Sequence, residues 1–63
     1  MTVGEKLREL RGEVRREVVA ANVGVSVSAL AMYETDKRIP RDSVKLKFST
    51  YYNVPVQDIF FAT

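Results

Sequence analysis

Ten basic side chains are the groups in this 63-residue sequence with the plainest chemical use, and half of them fall within residues 37–47. There Lys37, Arg38, Arg41, Lys45 and Lys47 stand against Asp42 alone, for a net charge of +4, while residues 1–36 and 48–63 each sum to −1. Clustered ammonium and guanidinium groups can hold anions, phosphate above all, but a charge run can also be a solvated surface. Catalytic chemistry has less to work with. The sequence contains no histidine and no cysteine, which removes the usual general base, the thiolate nucleophile and the commonest zinc ligands. Asp42, Asp58 and the glutamates are spread among surfaces as ordinary solvating charge. An enzyme is therefore the poorest functional class, and no metal, cofactor or small-molecule ligand is implied.

Whatever the bases hold, a small domain has to position them. Sixty-three residues make one domain, taken here as residues 1–63, near the lower limit for folding alone. Disulfides cannot help it. A hydrophobic content of 46% is enough for a core and too high for a disordered tail. No apolar run approaches the roughly 18 residues that a membrane span needs, and charges from Glu5 onward argue against a cleavable leader. The expected address is cytoplasmic.

Helical signals begin at once. Thr2 and Glu5 have the spacing of a capping box, and Val3, Leu7, Leu10 and Val14 follow at helical intervals. Gly12 is expected to end this helix in a left-handed conformation. A second helix from Arg16 to Val23 turns Val19, Ala20 and Val23 to one side. Gly24 stops it, Val25 returns to the core, and Ser26 caps a third helix running to about Thr35. Ala20, Gly24, Leu30 and Tyr33 supply a small residue, a turn and large apolar contacts at the offsets of two helices crossing at about 90–120°. An ordinary helical hairpin is the alternative.

Residues 43–52, SVKLKFSTYY, can be read two ways. Val44, Leu46 and Phe48 alternate with lysines as in a half-buried strand, yet Val44, Phe48, Tyr51 and Tyr52 form a helical stripe. Pro40 before and Asn53 after suit a helix, capped by Asp42 or Ser43. The helix is preferred, and Pro55 then opens a last short one through Val56, Ile59 and Phe60.

Taken together, LRELRG (7–12), EVVAANVGVSVSALAMYE (17–34), RIPRD (38–42) and YYNVPVQDIFF (51–61) resemble the Cro/Xre-type helix-turn-helix repressors of phages and bacteria. The resemblance covers nearly the whole chain. It implies an all-α, five-helix, phage-repressor-like domain whose second and third helices bind double-stranded DNA. It also implies residue roles. Arg16 stands at the start of helix two, where the family often has a phosphate-touching glutamine; Arg15 replaces a usual capping Ser or Thr, and a bound phosphate would offset that change. Lys37, Arg38 and Arg41 follow the third helix, where the family grips the backbone. Arg11 and Glu34 match a pair that often bridges the first and third helices, a structural role. Val18 and Asp36 depart from the usual pattern, the latter where glycine or asparagine often closes helix three.

The third helix should read bases with its outer face. With Leu30 inward, steps of 100° turn Ser28, Met32 and Thr35 outward and place Val27 and Ala31 on a flank. No Arg, Gln or Asn lies among them. Readout would rest on thymine-methyl contacts from Val27, Ala31 and Met32 and on short hydroxyl bonds from Ser28 and Thr35, with phosphate contacts supplying most of the affinity. The competing reading is a protein-interaction module that has lost DNA binding. Assembly is expected to be a homodimer on a near-palindromic operator, with its seam in VQDIFFAT (56–63) at Ile59, Phe60 and Phe61, of which Ile59 and one phenylalanine can satisfy the core and leave the other to cover. The alternative is that this tail folds back over helices one and four.

Overall fold

The computed structural model describes residues 1–61; Ala62 and Thr63, the end of the expected seam and of the 1–63 domain, lie outside the described residues. Four α-helices come first in order: α1 (Val3–Arg11), α2 (Arg16–Val23), α3 (Val27–Glu34) and α4 (Asp42–Tyr52). The fifth, short helix winds as a π-helical turn, Gln57–Phe61. Among the described residues there is no strand. The architecture is all-α.

The start of α1 is a reciprocal capping box. Thr2 Oγ1 accepts from the Glu5 amide at 3.1 Å, and Glu5 Oε1 accepts from the Thr2 amide at 2.8 Å. Its end departs from expectation. Gly12 has φ +58° as foreseen but ψ −127°, which is not left-handed helix. With Val14 N–H donating to the Arg11 carbonyl at 3.1 Å, the dihedrals fit the first central residue of a type II′ turn. The chain leaves the helix so sharply that Val14 falls outside it, exposed, and takes no part in the apolar stripe.

The other three α-helices end alike. Gly24, Asp36 and Asn53 all take positive φ, at 85°, 61° and 56°. One residue beyond each, the amides of Val25, Lys37 and Val54 reach back to the carbonyls of Ala20, Met32 and Ser49 at 3.0, 2.9 and 3.1 Å. This is the six-to-one bond of a Schellman closure, which satisfies carbonyls left open at a helix end. Ser49 tightens the third closure, its hydroxyl donating to the Val54 carbonyl at 2.6 Å.

Helix α4 resolves the ambiguous stretch. Phe48 is fully buried while Leu46 is 61% exposed, so their two-residue spacing does not share a face and the helical period wins. Neither Asp42 nor Ser43 caps the helix. Arg41 holds the N-cap position without a side-chain bond, and Asp42 sits in the first turn, where a carboxylate is favoured by the helix dipole.

Phe48 anchors the core, among Leu7, Val19, Ala20, Val23, Leu30, Tyr33 and Ile59. Tyr33 meets it edge-on at 6.0 Å between ring centroids, and Phe60 lies 6.2 Å away. Burying one such side chain contributes about 1.5–3 kcal/mol, a large share for so short a chain. Ile59 is 2% exposed and belongs to this core. That removes it from the expected seam and keeps it in the stripe through Val56, Ile59 and Phe60, since no surface of it is left to offer. Phe60 is half-buried against the same cluster. The tail thus folds back in part, and Phe61, at 63% exposure, stays outside.

Candidate nucleic-acid interface

The turn between α2 and α3 sets the geometry. Ala20 and Val23 are buried, Gly24 turns the chain with φ 85° and ψ 34°, and Ser26 Oγ accepts from the Ala29 amide at 3.0 Å to start α3. Leu30 and Tyr33 are buried beneath it. The resulting outer face of α3 exposes Val27, Ser28 and Met32, with Ala31 half-buried between them. Thr35 is exposed too, but its hydroxyl donates to the Ala31 carbonyl at 2.8 Å. That spends its only proton within the helix.

Behind α3 the backbone comes very close to α1. A Cβ added at Gly4 would stand 2.5 Å from the Glu34 carbonyl oxygen, so only glycine permits this approach. Asp36 reinforces it from the loop. Its carboxylate accepts from the Thr2 hydroxyl at 2.6 Å and from the Gly4 amide at 2.9 Å. These bonds, the Thr2 bond first, hold the Asp36 carboxyl below the usual carboxylate range. Sequence reasoning missed Gly4 and noticed Asp36 only as a departure from the family pattern. An isolated glycine inside a helical stripe was the available signal for Gly4; nothing in the sequence pointed to the reach of Asp36.

Glu34 is buried, with its carboxylate between two guanidiniums. Arg11 Nε donates to Oε2 at 2.7 Å and Arg16 Nε to Oε1 at 2.9 Å. The Arg11 pairing matches the bridge expected between the first and third helices, and it holds the Arg11 proton even more firmly than usual. Arg16 was expected to face the backbone of a duplex and is instead shared, with part of its guanidinium turned to the same carboxylate. Nearby, the Tyr52 hydroxyl is buried without a hydrogen-bond partner among the described residues. Burial, with the Glu34 charge adding to it, pushes this phenol up to about 12.

The remaining bases separate. Arg15 is exposed at the N-cap of α2 with no capping bond of its own. Lys37, Arg38 and Arg41 are exposed between α3 and α4, and Arg38 also borders a cleft lined by Phe60 and Phe61. Lys45 is not available in the same way. Its ammonium lies 5.0 Å from the Phe61 ring centroid and 5.6 Å from that of Phe60, with Asp42 at 3.8 Å. It covers the tail. Leu46, exposed on the next position, lies between a groove it shares with Asn22 and Tyr51 and another it shares with Val56 and Phe61. Sequence reasoning had not singled it out.

The arrangement thus offers an apolar, short-hydroxyl helix face beside exposed bases, and a separate apolar ridge on α4 and the tail. A family model described as a helix-turn-helix domain matches residues 2–59. No curated protein and no solved structure matches the chain.

Proposed function

We propose a function from one premise: the chain belongs to the helix-turn-helix domain family, of the Cro/Xre-like type. On that footing it is a single domain that binds double-stranded DNA in a sequence-specific manner and regulates transcription. Repression in a phage or bacterial cytoplasm is the finer reading. The observation that carries it is the outer face of α3, where Val27, Ser28 and Met32 are exposed directly after the tight turn. In such a turn the second helix enters the major groove with its early residues toward base edges.

Readout would then be mostly apolar. Val27, Ala31 and Met32 fit thymine methyl groups, and the Ser28 hydroxyl can donate or accept. Arg15, Arg16, Lys37, Arg38 and Arg41 supply the phosphate contacts. Two copies would bind a near-palindromic operator with half-sites about 34–36 Å apart. Their seam is Phe61 together with Leu46, the most exposed large apolar side chains of α4 and the tail among the described residues; Phe60 supports it from below.

A second reading has one observation in its favour. The same α3 face lacks any long polar side chain and would suit a protein groove. Titrating a duplex against salt separates the two. DNA binding predicts an affinity falling steeply, with a slope of about −0.9 per phosphate contact. Absence of duplex binding, or binding indifferent to salt, would favour the protein-interaction module.

A further inference from the structure

Glu34 is the one charged residue of α3, and none of its side chain is exposed. Its two arginines are used differently. Arg11 also donates through Nη1 to the Val14 carbonyl at 2.8 Å, bracing the α1–α2 turn, and only 16% of its side chain is exposed. Arg16 gives up Nε alone. Among the described residues nothing accepts from its two Nη groups, and 36% of its side chain faces solvent. One carboxylate between two guanidiniums leaves one positive charge uncompensated, and the geometry leaves it on the outer edge of Arg16.

A guanidinium is planar, so fixing Nε–H also fixes the direction of both Nη groups. An unrestrained arginine would lose rotamer freedom when it met a phosphate; here that loss is taken during folding. We infer that Glu34 is a positioning residue for DNA binding: it holds Arg16 by Nε with both Nη groups aimed outward at a backbone phosphate. This rests on the DNA-binding reading above. Because Glu34 is part of α3, the phosphate contact and the base-facing residues form one rigid unit. The charge on the inner face of α3 therefore serves its outer face.

The test measures the cost of Arg16→Ala in two backgrounds, using the full chain and a random 20-base-pair duplex over a range of salt. In the wild-type background the substitution should weaken binding about tenfold, as the loss of one charge-assisted contact does, and flatten the salt slope by about one. In the Glu34→Met background, which keeps the bulk but removes the acceptor, it should cost less than about twofold, because Arg16 is no longer aimed. Arg11→Met should lower thermal stability yet leave the Arg16 cost near tenfold. Equal Arg16 costs in the wild-type and Glu34→Met backgrounds would overturn the proposal. Should the Glu34→Met chain fail to fold, side-chain NMR of the wild type decides. The Arg16 Nε–H should stay slowly exchanging with and without duplex, and its release on adding duplex would overturn the assignment. A wild-type chain with no salt-dependent duplex binding would overturn the DNA-binding reading and this one together, a pattern distinct from equal costs.

Discussion

On the inner side of α3, Leu30, Tyr33 and Glu34 are buried; on the outer side, Val27, Ser28 and Met32 are exposed. A surface helix ordinarily turns its charges outward and its methyl groups inward. Here the single carboxylate is inside and two large apolar side chains are outside. Neither choice helps an isolated fold. Burying an unpaired carboxylate is costly, and each exposed Val or Met forgoes up to about 1.5–3 kcal/mol of burial. The inner departure is resolved within the molecule, by two arginines at hydrogen-bond distance. The outer one is left to solvent within the molecule, and on the proposed reading a duplex covers it. On that reading, stability and recognition are written on opposite sides of the same eight residues.

The largest expected effect tests the inner side. Glu34→Ala leaves Arg11 and Arg16 facing each other without their carboxylate. Breaking a buried pair in this way costs about 3–5 kcal/mol, enough to unfold much of a chain this small. Urea unfolding measures it, and a loss under about 1 kcal/mol, the range of an exposed ion pair, would show that the cluster is not structural. Next in size is the outer side. Exchanging Ser28 or Met32 should leave unfolding within about 0.5 kcal/mol of the wild type. The same exchange should shift preference at an affected base pair by about 1–3 kcal/mol. Selection from a random duplex pool reads this directly, and unchanged selected sites would break the comparison.

The smallest effect lies at the C-terminal end of α3. The Asp36 carboxyl is held below its ordinary range by Thr2 and Gly4. A depressed folded value means that its contribution is present above the unfolded pKa of about 3.9 and is lost as pH falls through the folded value. Wild-type stability should therefore decline more steeply below about pH 4 than that of Asp36→Asn, which tolerates the same positive φ. Asp36 is exposed, so the difference will be modest. Parallel acid-unfolding curves for the two chains would remove Asp36 from the account.

Much of the helical order was legible because its signals are local. Thr2 with Glu5, Gly24 with Ser26, and Asn53 each act through bonds within a few residues of themselves. Gly12 shows the limit even there: positive φ was readable from residue type, but ψ depended on how fast the chain had to reverse before α2. The exposed face of α3 was legible where it followed from helical phase, as at Ser28 and Met32. It was not legible where distance in space mattered more than distance in sequence. The share that Arg16 takes of Glu34, the bond from Asp36 to Gly4 and the cover Lys45 gives Phe61 all join segments far apart along the chain. Ile59 was read both into the seam and, with one phenylalanine, into the core; which phenylalanine stays outside could not be read from so short an apolar run.

Gly4 lies behind α3, away from its exposed face, yet it governs where that helix sits. The missing side chain works as clearance under one end of a short beam. At 1.5 Å of rise per residue, α3 is only about 12 Å long and rests on Leu30 near its middle. A methyl group wedged beneath Glu34 would lift one end, and the other end, with Val27 and Ser28, would tip the opposite way by a similar amount. On the DNA-binding reading, a substitution that touches no nucleotide would then be felt as a change of aim, a loss of fidelity more than of foldedness.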